Sequence, residues 1–162
     1  MKKRYRGKSK RLPGYDYSQP GKYFITICTK NHSCIFGRIE DNKTNLNQFG
    51  RIAKKYWIEI PEHFTNTVVD EFVIMPNHIH GIIIIKSNND KNSNREYANR
   101  KPKTVSTIIG SYKAAVSKTI NQIRNQNNSI WHSNFYDHII RTYAELNKIR
   151  EYIKQNPSNW GK

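Results

Sequence analysis

The segment from Val68 to Ile85 is the part of the sequence that most constrains the fold. Two runs rich in β-branched residues, residues 68–75 and 78–85, flank the dipeptide Pro76-Asn77. β-Branched side chains favour strands, and so short a connection joins strands that run antiparallel. We therefore predict two neighbouring antiparallel strands joined by a tight connection or a bulge.

Two histidines, His78 and His80, open the second of these strands. Side chains alternate across a strand, so both imidazoles point to the same face. Apolar residues on both sides indicate a central strand, where unpaired polar side chains are costly. Imidazole is the commonest protein metal ligand near neutral pH. This pattern favours a metal-binding pair over the alternative of two surface histidines.

Periodicity predicts the remaining elements of the domain. We expect strands over residues 23–29 and 135–141, a helix with apolar positions from Leu46 to Ile60 that ends at Pro61, a helix over residues 105–123 capped by Thr104 or Ser106, and a last helix over residues 144–156. The order β-α-β-β-α-β-α predicts an α+β, ferredoxin-like domain. Its antiparallel sheet would have about four strands, with helices packed on one face.

The chain is strongly basic, with 28 Lys and Arg against 12 Asp and Glu and a formal net charge of +16. A positive field concentrates polyphosphates, which favours a nucleic-acid partner. The alternatives are a generic basic protein or one that binds acidic membranes. No apolar run approaches the about 20 residues needed to span a bilayer, and we expect no signal peptide. Cys28 and Cys34 fit no zinc spacing, and a reduced core thiol at Cys28 predicts a cytoplasmic location.

The predicted organisation is one domain with two polar appendages. Residues 1–22 read as a basic flexible tail, residues 23–162 as the single catalytic domain, and residues 86–103 as a mobile loop that holds almost nothing apolar. A basic tail is usually solvated, and here it could also clamp phosphates. We assign phosphate binding to the tail cations and to two cations of the domain, namely Lys2, Lys3, Arg4, Arg6, Lys8, Lys10, Arg11, Arg141 and Lys154.

Three motifs together resemble those of the REP-associated tyrosine transposases, a bacterial group within the HUH single-tyrosine transposase superfamily. They are Met75-Pro-Asn-His-Ile-His80, the set Trp131, Phe135, Asp137, His138 and Arg141, and Tyr152-Ile-Lys-Gln-Asn-Pro157. The resemblance spans roughly residues 23–157. It implies that Tyr152 is a nucleophile, that Asn156 completes a metal site with the two histidines, and that the substrate is single-stranded hairpin or palindromic DNA. It also implies a 5′-phosphotyrosine intermediate and a monomer or homodimer.

The spacing of Tyr152 and Asn156 agrees with these roles. At i, i+4 on a helix they share one face, about 6 Å apart along its axis. An amide oxygen suits Mg²⁺ or Mn²⁺, and two imidazoles shift the preference toward Mn²⁺. The alternative is that Asn156 only caps the helix before Pro157. Asp137 and His138 are competing ligands, but they face opposite sides of the predicted strand, so at most one could reach the site.

Ten tyrosines are present, and most must pack or lie on the surface. Tyr112 joins the apolar positions of its helix, so we interpret it as a packing residue. Tyr152 alone has a polar partner one turn further on. Two other functions stay open: a single-stranded nucleic-acid-binding module without catalysis, and a metal nuclease that uses water as its nucleophile.

Overall fold

The computed structural model describes residues 12–87 and 104–162, and these form six strands, four α-helices and two 3₁₀ turns. In chain order the elements are β1 (Gly21–Cys28), a 3₁₀ turn (Lys30–His32), β2 (Gly37–Glu40), β3 (Lys43–Leu46), α1 (Gln48–Ile58), α2 (Ile60–His63), β4 (Thr67–Ile74), β5 (His78–Ile85), α3 (Val105–Arg124), β6 (Tyr136–Ile140), α4 (Tyr143–Gln155) and a second 3₁₀ turn (Pro157–Asn159).

The main sheet has four antiparallel strands in the order β4-β5-β1-β6. This order, with α1 and α3 in the two crossovers, is the ferredoxin-like arrangement, so the predicted fold class is confirmed. The connection between β4 and β5 is as tight as expected, because the Met75 amide donates to the His78 carbonyl oxygen at 2.8 Å. β5 pairs with strands on both sides, which places the two histidines in the interior of the sheet.

The two faces of the sheet carry different packing. Alternate side chains of β1 and β5 contribute to a core under α1 and α3, whose largest members include Tyr23 and Trp57. The intervening side chains face α4 across a smaller cluster, formed by Ile82, Ile140, Leu146 and Ile153 with Phe24, Val73, Ile84 and Ile149 at its margin. The period of two along each strand produces this division. Consequently α4 shares a face of the sheet with both histidines.

The short β2–β3 hairpin was not expected from the sequence. Its turn residues Asp41 and Asn42 both have positive φ, 48° and 59°, as a two-residue hairpin turn requires. Leu46 therefore ends β3 instead of starting a helix. α1 begins after Asn47, whose side chain accepts from the Gly50 amide at 3.0 Å.

The predicted end of the first helix at Pro61 was wrong. α1 ends at Ile58, and Pro61 lies in the first turn of the short helix α2. Proline is tolerated there because the first-turn N–H groups have no intrahelical partner. The other two helices match their expected positions. Thr104 caps α3 and Thr142 caps α4, each by accepting a hydrogen bond from the amide three residues on.

The chain before β1 contacts the domain where the structure describes it. Tyr15 and Tyr17 pack against the core, and the Tyr23 hydroxyl donates to the Gln19 carbonyl at 2.9 Å. The predicted tail residues 1–11 and residues 88–103 of the predicted loop lie outside the described residues. Within the described ranges no helix has the length and apolar character needed to cross a membrane.

Gly81 allows α1 to pack closely on β5, so its replacement tests this packing. A Cβ atom at Gly81 would lie 2.2 Å from Cζ2 of the buried Trp57 indole. We expect Gly81→Ala to destabilise the protein by about 1–3 kcal/mol, since a rigid core must shift. Gly110→Ala is the matched control, because a Cβ there meets nothing within 4 Å on α3 and should stabilise by about 0.5–1 kcal/mol. Urea unfolding of both variants measures the difference, and equal stability would contradict the close packing.

Candidate active site

A bidentate ion pair between Arg150 and Asp70 fixes helix α4 over the sheet. The Arg150 guanidinium donates to both carboxylate oxygens of Asp70 on β4, at 2.9 and 2.6 Å. These hydrogen bonds lower the pKa of Asp70 below its usual value. Asp70 lies at an irregularity of the β4–β5 ladder between Val69 and Phe72, where a bulge redirects side chains. The pair, together with the buried Leu146 and Ile153, sets the position of α4.

His78 and His80 lie side by side under α4, with ring centroids 4.5 Å apart. Their register neighbours on β1 are Cys28 and Thr26. Thr26 Oγ1 lies 2.8 Å from Nδ1 of His80, and that contact leaves Nε2 of His80 as its nitrogen available to a ligand. Phe24 stacks on the His80 ring at 5.4 Å. The pair is therefore held by the sheet in one orientation.

His78 is oriented by its neighbour Asn77. Nδ1 of His78 lies 2.7 Å from Oδ1 of Asn77, and Nε2 lies 3.4 Å from Oδ1 of Asn156. Both oxygens can only accept, and the shorter contact favours placing the single proton of the neutral ring on Nδ1. Nε2 of His78 then presents a lone pair to Oδ1 of Asn156, 3.4 Å away on α4. Two acceptors that face each other gain nothing from direct contact. A cation between them would satisfy both, so the donor set fits a metal ion.

Burial keeps both rings neutral. The pKa of His80 is lowered to about 3, chiefly by burial and further by His78, and burial also lowers the pKa of His78. A neutral imidazole has the lone pair that metal coordination needs. Within residues 12–87 and 104–162 no three His, Cys, Asp or Glu side chains cluster as metal ligands. Beside the two histidines, the Asn156 amide oxygen is the candidate for a third protein donor, since it lies 3.4 Å from Nε2 of His78.

Tyr152 lies one turn before Asn156, and its side chain is 48% exposed. Its ring contacts His80 edge-on at 5.4 Å between centroids and Phe24 at 6.0 Å. The nucleophile candidate thus reaches both the histidine pair and the solvent. Asn156 is the C-cap residue of α4, yet its side chain points to His78 rather than to the helix end.

The competing ligands lie elsewhere. Nε2 of His138 forms a short contact with the Glu145 carboxylate, at the start of α4. Asp137 is buried and stands opposite Ile25, whose side chain belongs to the core on the other face of the sheet. The structure therefore brings together His78, His80, Tyr152 and Asn156, and leaves Asp137 and His138 outside that group.

Arg141 and Lys154, the two residues of the domain predicted to bind DNA phosphates, have different surroundings. Arg141 is exposed directly after β6. The Lys154 ammonium is about half-exposed and lies 3.5 Å from Glu151 and 3.9 Å from Glu71, so part of its charge is already balanced. The seven cations of the N-terminal tail lie outside the described residues.

Sequence reasoning missed three residues that shape the site, namely Thr26, Asn77 and Trp160. Thr26 and Asn77 orient the two imidazoles, and the Trp160 ring stacks on His78 with centroids 6.1 Å apart. Asn77 could have been found, because it directly precedes the histidines. The contact of Thr26 with His80 can be predicted only when the strand register is known. Trp160 follows the tyrosine motif, but no sequence spacing predicts that it lies at the site.

Comparisons with known proteins agree with this fold. No protein-family model matches the chain. A protein of Haemophilus influenzae with an uncharacterised function is 38% identical over 161 residues, covering 94% of this chain and 89% of its own. Among solved structures, a REP-associated tyrosine transposase bound to a REP hairpin superposes with a TM-score of 0.60 and 17% identity, over 93% of this chain and 74% of that one.

A second solved structure, a candidate transposase from Deinococcus radiodurans R1, has a TM-score of 0.53 and 12% identity. It is matched over 97% of its length and over 90% of this chain. Both structures share the fold of this chain. The chain therefore belongs to the same family as the Haemophilus influenzae protein, and its predicted ferredoxin-like α+β fold is shared with these two transposase structures.

Proposed function

We propose that this protein is a metal-dependent endonuclease and strand transferase that acts on single-stranded DNA next to a hairpin. The observation that carries the proposal is the pair of facing acceptors, Nε2 of His78 and Oδ1 of Asn156, beside His80 and the exposed Tyr152. The net charge of +16 supports a nucleic-acid substrate. The similar fold of a transposase solved with a REP hairpin supports a hairpin as the form of that DNA.

The proposed metal site consists of His78, His80 and Asn156, which would hold Mg²⁺ or Mn²⁺. Such an ion, when bound, withdraws negative charge from the phosphate oxygens. The protein's own contribution is orientation. Thr26 and Asn77 fix the two rings, and the Asp70–Arg150 pair fixes the helix that carries the amide. The donors are thus positioned before substrate arrives, which is the arrangement that efficient electrostatic catalysis needs.

The proposed nucleophile is the Tyr152 hydroxyl. Its oxygen forms a bond to phosphorus as the bond from phosphorus to the 3′ oxygen of the preceding nucleotide breaks. The phenol loses its proton, and the departing 3′ oxygen gains one. The products are a 5′-phosphotyrosine and a free 3′-OH. Because the covalent bond conserves the energy of the phosphodiester, a 3′-OH can attack it in reverse and join the strands.

Denaturing gels test the proposal directly. The purified protein is incubated with a pool of labelled single-stranded hairpin oligonucleotides whose flanking sequences are randomised, in Mn²⁺ or in EDTA. We expect a protein–DNA adduct that survives denaturation in Mn²⁺ only, together with a cleaved strand that a polymerase can extend from its 3′-OH. Cleavage without an adduct would favour water as the nucleophile, and binding without cleavage would favour a non-catalytic module.

A further inference from the structure

Trp160 is an aromatic residue at the candidate site to which the proposed mechanism gives no task. Its ring stacks on His78 at an interplanar angle of 24°. The side chain is 37% exposed, whereas the two other tryptophans of the chain, Trp57 and Trp131, are 0% and 5% exposed. An indole is a large apolar surface, so leaving a third of it in water forgoes stabilisation that burial would give. The exposed part of the ring is accessible to a ligand.

The position of Trp160 is set by the end of α4. The Asn159 amide donates to the Asn156 carbonyl at 3.2 Å, and the Trp160 amide donates to the Pro157 carbonyl at 3.3 Å. The 3₁₀ turn Pro157–Asn159 that these bonds close also packs against β3. These bonds hold the backbone that carries the indole, and the ring itself lies against His78 without any ligand present. A preplaced aromatic ring costs little entropy when it binds.

The nucleophile and the indole lie at opposite ends of the histidine pair. Tyr152 contacts His80, and Trp160 contacts His78, with the two imidazoles between them. A phosphate that is attacked by Tyr152 must lie over the pair. The nucleotide on the far side of that phosphate then extends toward Trp160. Every base has a π-face that can stack on an aromatic side chain, whatever its sequence.

We propose that the Trp160 indole stacks on a nucleobase adjacent to the phosphate that Tyr152 attacks, and so positions the single strand across the histidine pair. The proposal rests on the proposed function of the site. Trp160 is a substrate-positioning residue in this scheme and takes no part in the covalent step. The competing explanation is that the indole only supports the His78 ring.

Binding measured without metal separates these two roles. Anisotropy of a labelled hairpin with a single-stranded flank, titrated in EDTA, reports affinity in the absence of cleavage. We expect Trp160→Ala to weaken binding by about 5- to 150-fold, the range for the loss of one stacked base, and Trp160→Phe to recover much of the loss. Oligonucleotides with one abasic site at successive flank positions locate the base, because at that position Trp160→Ala should bind as well as the wild-type protein.

The outcomes are distinct for the two proposals. If Trp160→Ala binds like the wild type in EDTA but needs more Mn²⁺ to form an adduct, the indole only supports His78 and the stacking proposal is overturned. A loss of affinity that no abasic position removes would overturn it as well. If the wild-type protein forms no adduct in Mn²⁺, the proposed function fails instead. The affinities measured in EDTA still decide whether Trp160 stacks on a base, because they do not depend on cleavage.

Discussion

Replacing Tyr152 by phenylalanine is expected to abolish both the covalent adduct and strand cleavage, while single-strand binding and stability stay near wild-type values. The substitution removes only the hydroxyl oxygen that would bond to phosphorus. The ring keeps its contacts with His80 and Phe24. We expect a loss in rate of roughly 10⁴- to 10⁶-fold, in line with the removal of other covalent nucleophiles. Adduct yield on denaturing gels and oligonucleotide binding are the two measurements.

Tyr143→Phe is the matched control for this variant. Tyr143 lies on the same helix and is 73% exposed, so it tests whether any accessible tyrosine of α4 can react. Because its side chain hydrogen-bonds Arg150, the stability of this variant is measured as well. We expect its adduct yield to equal that of the wild type. An undiminished adduct from the Tyr152→Phe protein would show that another residue is the nucleophile, and peptide mapping of the adduct would then identify it.

Loss of either histidine should have the second-largest effect. We expect His78→Ala and His80→Ala to lower cleavage by at least about 10- to 100-fold, because removing a direct ligand costs no less than removing a residue that orients one. Binding of single-stranded DNA should remain, since the basic residues carry most of the affinity. Adduct yield measured against Mn²⁺ concentration, with saturating DNA, provides the test. An unchanged adduct yield in either variant would refute the assignment of the metal site.

Substitutions at two further positions sharpen this experiment. His63→Ala is the control for histidine loss in general, because His63 is exposed at the end of α2, away from the site. At Asn156, aspartate should preserve Mn²⁺-dependent cleavage, whereas alanine should lose it, since a carboxylate is also an oxygen ligand. Asn156 has helical backbone angles that alanine adopts easily, so loss of activity without loss of stability would argue against a capping role alone.

Local sequence patterns were sufficient to predict most of the fold. The β4–β5 pair, α3, β6 and α4 follow from periodicity and capping residues that act within one turn or one strand. Tyr112 packs as expected, for it is buried and its hydroxyl donates to the Ala53 carbonyl at 2.8 Å. The β2–β3 hairpin was overlooked because its strands are short and polar. Its Asp41-Asn42 turn was nevertheless a readable signal.

The candidate site depends on information that local patterns do not contain. His78 and Asn156 lie 78 positions apart in the chain, and only the family resemblance suggested that they meet. The contact of Thr26 with His80 requires the β1–β5 register, and that register results from packing on both faces of the sheet. The stacking of Trp160 on His78 depends on how the last turn leaves α4. The chemical roles of these residues stay predictions until the variants are measured.

The ion pair between Asp70 and Arg150 couples the docking of α4 on the sheet to ligand binding at the candidate site. The histidines belong to the sheet and the amide belongs to α4, so a ligand held by all three binds only when the helix is docked. Such a ligand must stabilise docking by the same free energy that docking adds to its affinity. Although the Asp70–Arg150 pair lies outside the candidate donor set, it would therefore contribute to the affinity for the proposed metal ion and DNA, and its loss would appear in a titration as weaker binding of both.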